Sequence, residues 1–209
     1  MKTEIRIAAI VPVAAIEGAK TRLGETLDAE ERHDLVETML ARTLAAVLAV
    51  ESIDDVVVVS PDRTVLDVAA AAGARPLRQR SSGLNDGVRD ARADAMAGGA
   101  EAILVIPIDL PFISADAVSD VVTALLEDDE AAVALVPDRH GTGTNTLALR
   151  PPNVIDVSFG IDSRATHRAA AETAGAAYRE VDGPLSVDLD TPEDLVLVET
   201  IRAAGSHVG

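Results

Sequence analysis

The chain is predicted to fold as an α/β domain with a mostly parallel central sheet and helices on both faces. Three observations carry this reading. Apolar runs at 5–13, 56–60, 103–108, 131–136 and 185–189 are continuous rather than alternating, the pattern of strands covered on both sides. Segments with apolar residues three and four apart lie between them, so strand and helix alternate along the chain. Residues able to do chemistry gather where the runs stop, and Pro12, Ser60, Asp109 and Pro137 all stand at such ends. Ligands of open parallel sheets sit at the carboxyl ends of strands.

Taken in order, 5–13 is the first strand. Lys2 and Arg6 ahead of the apolar stretch imitate a secretory leader, but Glu4 and Pro12 break that pattern, and a cytoplasmic protein is expected. Helix 28–50 carries Leu35, Met39, Leu40, Leu44, Val47 and Leu48 on one face, with Asp28 as N-cap and Glu30 and Glu31 in the first turn. Strand 56–60 leads to helix 64–72, stopped by Gly73. Helix 85–97, strand 103–108, helix 116–126 and strand 131–136 follow. Helix 163–174 ends at Gly175, and run 185–189 feeds helix 191–204, where Pro192 takes the first helical position. At 209 residues, with no linker-like stretch, residues 1–209 read as a single domain.

Composition narrows the function. The formal charge is −17, from 35 acidic and 18 basic residues, which repels a nucleic-acid backbone. Trp is absent, and Tyr178, Phe112 and Phe159 are the only aromatic residues besides histidine, so no base-stacking platform exists. Cysteine is absent too, which removes disulfides, thiolate catalysis and sulfur-ligated metals. No apolar run approaches the ~20 residues of a membrane span. A site for a polyanion here needs its own local positive charge.

The motifs supply candidates for that. Ile106-Pro107-Ile108-Asp109-Leu110-Pro111 aims Asp109 from a stiff strand end, and Ser186-Val187-Asp188-Leu189-Asp190-Thr191-Pro192 holds two carboxylates two residues apart. On an extended strand Asp188 and Asp190 face one side and Leu189 the other. Two like charges in one cleft are costly unless a cation neutralises them, and carboxylates from separate strand ends are hard-oxygen ligands for a divalent ion. Asp190 is also placed to cap the helix that follows.

After the first strand, Pro12 to Leu23 is a glycine-containing loop ending in Lys20 and Arg22, able to cradle a phosphate or to be a solvated basic pair. It lacks the spacing of a P-loop. Gly83 and Asn85 open a helix and are candidates for either a nucleotide contact or an ordinary cap. Residues 140–147 read as a loop of small donors, and Phe159-Gly160-Ile161-Asp162-Ser163 starts a helix, an arrangement suited to an anion. His167, one helical turn beyond Ser163, is a candidate to face the same anion. The four histidines, His33, His140, His167 and His207, show no paired metal spacing.

Lys20-Thr21-Arg22-Leu23, Gly83-Leu84-Asn85, Pro107-Ile108-Asp109-Leu110-Pro111, Gly143-Thr144-Asn145, Phe159-Gly160-Ile161-Asp162-Ser163 and Asp188-Leu189-Asp190-Thr191-Pro192 occur in one order. In that order the chain resembles the phospholactate/phosphoenolpyruvate guanylyltransferases of coenzyme F-420 biosynthesis, called CofC in archaea and FbiD in bacteria. The resemblance implies a Rossmann-like (GT-A type) nucleotidyltransferase fold and transfer of GMP from GTP to a small phosphorylated acid with release of pyrophosphate. It further implies Mg2+ on Asp109, Asp188 and Asp190, with catalytic roles for Lys20, Arg22, Asp109 and Asp190. GTP would meet Pro12, Lys20, Arg22, Gly83 and Asn85, and the acid would meet Asn145, Gly160 and Ser163. Some bacterial members carry Thr in place of Asn145. Phosphoenolpyruvate is the expected acceptor, with 2-phospho-L-lactate and 3-phosphoglycerate as alternatives. Other acceptors on the same fold, of molybdopterin or sugar-phosphate type, and a non-catalytic nucleotide-binding domain are the competing readings.

Overall fold

The computed structural model describes residues 5–15, 20–24, 26–127 and 130–205. The strands are β1 (Ile7–Pro12), β2 (Asp55–Ser60), β3 (Arg75–Arg78), β4 (Ala102–Val105), β5 (Ala132–Pro137), β6 (Thr144–Arg150) and β7 (Ala177–Glu180). The helices are α1 (Ala29–Leu48), α2 (Arg63–Ala71), α3 (Leu84–Ala97), α4 (Ala115–Leu126), α5 (Ser163–Ala174) and α6 (Pro192–Gly205). The strands form one sheet in the order β3-β2-β1-β4-β6-β5-β7. β6 pairs antiparallel with both β4 and β5, and every other pairing is parallel.

Continuous apolar strands need cover on two sides, and they have it. Ile7, Ala9 and Val11 of β1 pack with α1, α2 and α4, while Ala8 and Ile10 pack on the opposite side with α3 and α5. Helix α1 begins with a reciprocal cap in which the Glu31 N–H donates to Asp28 and the Asp28 N–H donates to Glu31, satisfying two groups that the first turn leaves open. Leu104, at the centre of β4, is fully buried. Truncating it to alanine is expected to cost about 2–5 kcal/mol, and a thermal melt should fall by roughly 10 °C.

Four strand expectations change. Run 185–189 is not a strand: Pro184–Ser186 forms a single 3-10 turn, and extended chain without ladder partners follows. The donor loop expected at 140–147 is shorter, because Thr144 onwards belongs to β6. Thr and Asn favour turns locally, but Thr144 and Thr146 pair with Pro137 and Val136 of β5, and β4 joins β6 further on, at Leu147–Leu149. β3 and β7 lack apolar runs because each is a four-residue edge strand with one partner, made of Arg-Pro-Leu-Arg and Ala-Tyr-Arg-Glu. Among the described residues, no helix is long and apolar enough to cross a membrane.

Candidate active site

The site lies where β1 and β4 end, at the middle of the sheet. The Ile106 N–H donates to the Ile10 carbonyl at 3.0 Å, extending the pairing one step, and Pro107 then ends it because it has no N–H to give. Asp109 therefore stands beyond the ladder. Its carbonyl accepts from the Leu189 N–H at 2.9 Å, which ties the second acidic segment alongside the first. Leu189 packs inward with Leu23 and Val198, so the flanking Asp188 and Asp190 turn the other way, as their spacing requires.

Lys20 enters from the opposite wall. Its backbone is left-handed, with φ of 52°, strain of the kind that surroundings must hold in place. The 3-10 turn Thr21–Leu23 follows, pinned by the fully buried Leu23. The Lys20 ammonium donates to Asp109 Oδ2 at 3.2 Å, to the Leu189 carbonyl at 2.8 Å, and to the Asp190 carboxylate. Burial opposes its charge, but Asp109 and Asp190 outweigh that and hold the ammonium above its ordinary pKa.

Two adjoining cavities meet at this point. One, of about 410 Å³, is lined by Pro12, Lys20, Arg22, Leu84, Asp109 and Asp190 among others. The other, of about 200 Å³, is walled by Asn145, Gly160, Ser163 and Asp188 on its far side. Pro12, Leu84, Pro107, Asp109 and Asp190 line both. The buried Asn145 amide donates to the Leu185 carbonyl at 3.0 Å. Ser163 is 1% exposed and its hydroxyl has no hydrogen-bond partner among the described residues, although buried polar atoms are rarely left unpaired.

Nine of the expected residues thus converge: Pro12, Lys20, Arg22, Asp109, Asp188, Asp190, Asn145, Gly160 and Ser163. Gly83 and Asn85 do not line either cavity. The Asn85 amide donates to the Phe159 carbonyl and accepts the Phe159 N–H, at 3.0 and 2.7 Å, so it is a strut between α3 and the 158–160 turn. Neighbouring Leu84 takes the cavity position instead. Asp190 does not cap α6: Thr191 does, with Asp194 accepting the N–H groups of Asp190 and Thr191 at 2.9 and 2.8 Å. Asp138 was not anticipated, and Thr144, expected as one of the small donors of 140–147, also lines the smaller cavity. Asp138 follows Pro137 at the end of β5, so the strand-end rule that found Asp109 also reaches it. Residues 16–19 of the basic loop and His207 lie outside the described residues.

Asp188, Asp190, Asp109 and Asp138 face the smaller cavity together. Burial, and then the charges of Asp109, Asp190 and Asp194, push the Asp188 carboxyl above its usual range despite a backbone hydrogen bond. A raised native pKa means that the folded state binds this proton more tightly than the unfolded one. Stability from this group is therefore lost as pH rises from the ordinary carboxylate value through the native one. Asp188→Asn is expected to raise the Tm of the ligand-free protein at pH 7, measured by calorimetry in EDTA, while turnover falls.

Among the described residues, no three acidic or histidine side chains close a metal cage by themselves. Asp109 and Asp190 nevertheless converge on one cationic point, held by the Lys20 ammonium. Magnesium is bound through one or two carboxylates plus water and substrate phosphate oxygens rather than by an all-protein cage. The donor set fits that ion arriving with a phosphate.

A family model described as "Guanylyl transferase CofC like" matches residues 7–205. The chain belongs to the CofC-like guanylyl transferase family. It is 45% identical over 189 residues to a phosphoenolpyruvate guanylyltransferase of Sphaerobacter thermophilus, covering 90% of this chain and 89% of that protein. It is 36% identical over 188 residues to a 2-phospho-L-lactate guanylyltransferase of Methanocaldococcus vulcanius, covering 89% and 81%. The fold matches that of 4-diphosphocytidyl-2C-methyl-D-erythritol synthase from Anaerococcus prevotii, with a TM-score of 0.66 at 13% identity over 96% of this chain and 97% of the other. As a CofC-like chain it is a nucleotidyltransferase of the GT-A type, and the fold expected from the motifs is met.

Proposed function

We propose that this enzyme transfers GMP from GTP to phosphoenolpyruvate, releasing pyrophosphate, at the step that the resemblance assigns to coenzyme F-420 biosynthesis. The observation that carries the reading is the pair of cavities sharing a wall of Pro12, Leu84, Pro107, Asp109 and Asp190. The larger, with Lys20 and Arg22, suits a triphosphate. The smaller, with Asn145, Gly160 and the unpaired Ser163 hydroxyl, suits a compact acid. Two reactants held on either side of one wall need little further organisation to meet.

A phosphomonoester loses its second proton near pH 6, so at neutral pH an acceptor phosphate oxygen is already an anionic nucleophile. It attacks the α-phosphorus of GTP, a new P–O–P bond forms, and the α–β bond breaks with its electrons going to pyrophosphate. No protein base is required. Lys20 and Arg22 offset charge on the triphosphate and on the departing pyrophosphate. Asn145, Gly160 and Ser163 orient the acid. Asp109, Asp188 and Asp190 would hold Mg2+, which when bound screens the repulsion between the anions and the acidic wall.

The defining experiment supplies GTP and Mg2+ with phosphoenolpyruvate, 2-phospho-L-lactate or 3-phosphoglycerate in separate reactions. Pyrophosphate and the guanylylated acid are then followed by mass spectrometry. Product with phosphoenolpyruvate is expected; product with another acid alone would move the acceptor assignment, and product with none would sink the reading. Ser163→Ala removes one hydrogen bond to a charged group and is expected to raise the KM for the acid about tenfold, with the KM for GTP little changed in the same assay.

A further inference from the structure

His167 has no place in the chemistry above, yet it is fully buried behind the acid cavity and is not among its lining residues. Both ring nitrogens are engaged. The Ser158 N–H donates to Nε2 at 3.0 Å, and Nδ1 lies 3.1 Å from the Thr144 hydroxyl. A nitrogen that accepts an N–H carries no proton itself, so Nδ1 bears the hydrogen and donates it to Thr144 Oγ1. Phe159 meets the ring edge to face, with centroids 5.5 Å apart. Burial pushes the imidazole down to about 4, which keeps the ring neutral at pH 7.

We propose that His167 is a positioning residue for the acceptor cavity, its neutral Nδ1–H imidazole bridging Thr144 on β6 to the 158–160 turn. Thr144 precedes Asn145, and Phe159 and Gly160 lead into Ser163, so the ring sets the gap between the two sides that face the acid. Asn85 grips the same turn at Phe159 and the Arg164 N–H holds the start of α5 to the Thr142 carbonyl at 3.1 Å, while His167 ties the turn itself to β6. A cavity wall held by buried hydrogen bonds loses substrate affinity when one tie is removed, even though the tie never touches substrate.

The inference rests on the acceptor reading above. With phosphoenolpyruvate as the varied substrate, His167→Ala is expected to raise its KM at least about tenfold, the size of one lost buried hydrogen bond, while the KM for GTP stays within about twofold. His167→Gln, which returns an acceptor to the Ser158 N–H, should recover part of the loss. Thr144→Val, which removes the hydroxyl and keeps the shape, should raise the acid KM alone. A folded His167→Ala protein with an unchanged acid KM, or with both KM values raised alike, overturns the proposal.

Nitrogen-15 NMR of the wild-type imidazole decides the point if the alanine variant does not fold. An Nδ1–H tautomer at pH 7 supports the bridge; an Nε2–H tautomer or an imidazolium overturns it. Wild-type protein inert with all three acids would sink the acceptor reading, whereas the tautomer result would still judge the bridge.

Discussion

Asp190→Ala is expected to lower turnover by about 10²–10³-fold, the scale set by losing one preorganised electrostatic group at a reacting centre. Asp190 lines both cavities and shares the Lys20 ammonium with Asp109, so its removal dismantles the point at which both substrates and a divalent ion would meet. Its side chain is 39% exposed and makes no core contact that alanine would empty. The variant should therefore melt cooperatively with a Tm close to that of the parent, and the loss should appear in kcat. Steady-state pyrophosphate release alongside a thermal melt checks this; turnover within tenfold of the parent would remove Asp190 from the catalytic set.

Lys20→Met is expected to act on both stability and turnover. In the folded protein the ammonium is mostly buried, its side chain 11% exposed, between two carboxylates. A raised native pKa makes its contribution to stability complete below lysine's ordinary value of 10.5 and lost only as pH rises beyond it. At pH 7 the substitution leaves Asp109 and Asp190 facing each other without a cation, and the Tm falls. Added Mg2+ should raise the Tm of the variant more than that of the parent, since a cation is then missing from its place. On a chain of charge −17, losing the local cation should also raise the KM for GTP and lower kcat about 10²-fold. An unchanged Tm together with an unchanged KM for GTP would show that Lys20 is a bystander.

Asp194 illustrates how much of the site is held from behind. Burial opposes its ionisation, but the N–H groups of Asp190 and Thr191, the Thr191 hydroxyl and the Arg139 guanidinium together hold its carboxyl below the usual range. Arg139 lies in the β5–β6 connection and Asp194 in the first turn of α6. The pair thus links the segment carrying Asp188 and Asp190 to the loop that supplies Asp138 to the acid cavity. Acidification through the native pKa of Asp194 should loosen both together.

The sequence alone determined the layered α/β architecture, because continuous Val, Ile and Leu runs between amphipathic segments have few stable arrangements other than a covered parallel sheet. It also determined the acidic pairing at Asp188 and Asp190, since alternation along extended chain depends only on backbone geometry. Asp109, Lys20, Asn145, Gly160 and Ser163 were legible as motifs. Only the tertiary structure decided what each one touches.

Asn85 read as either a nucleotide contact or a helix cap, and its amide is committed to Phe159, a residue 74 positions away. Residues 185–189 read as a strand by their apolar content, but a strand requires a ladder partner, and among the described residues this segment forms no ladder, its backbone joining Asp109 through the Leu189 N–H. β3 and β7 escaped notice because edge strands need no apolar run, and β6 did because its polar start is held by its ladder with β5. Propensity and periodicity are local quantities, whereas pairing, and the role of a polar side chain, depend on which distant backbone the fold brings within 3 Å of it.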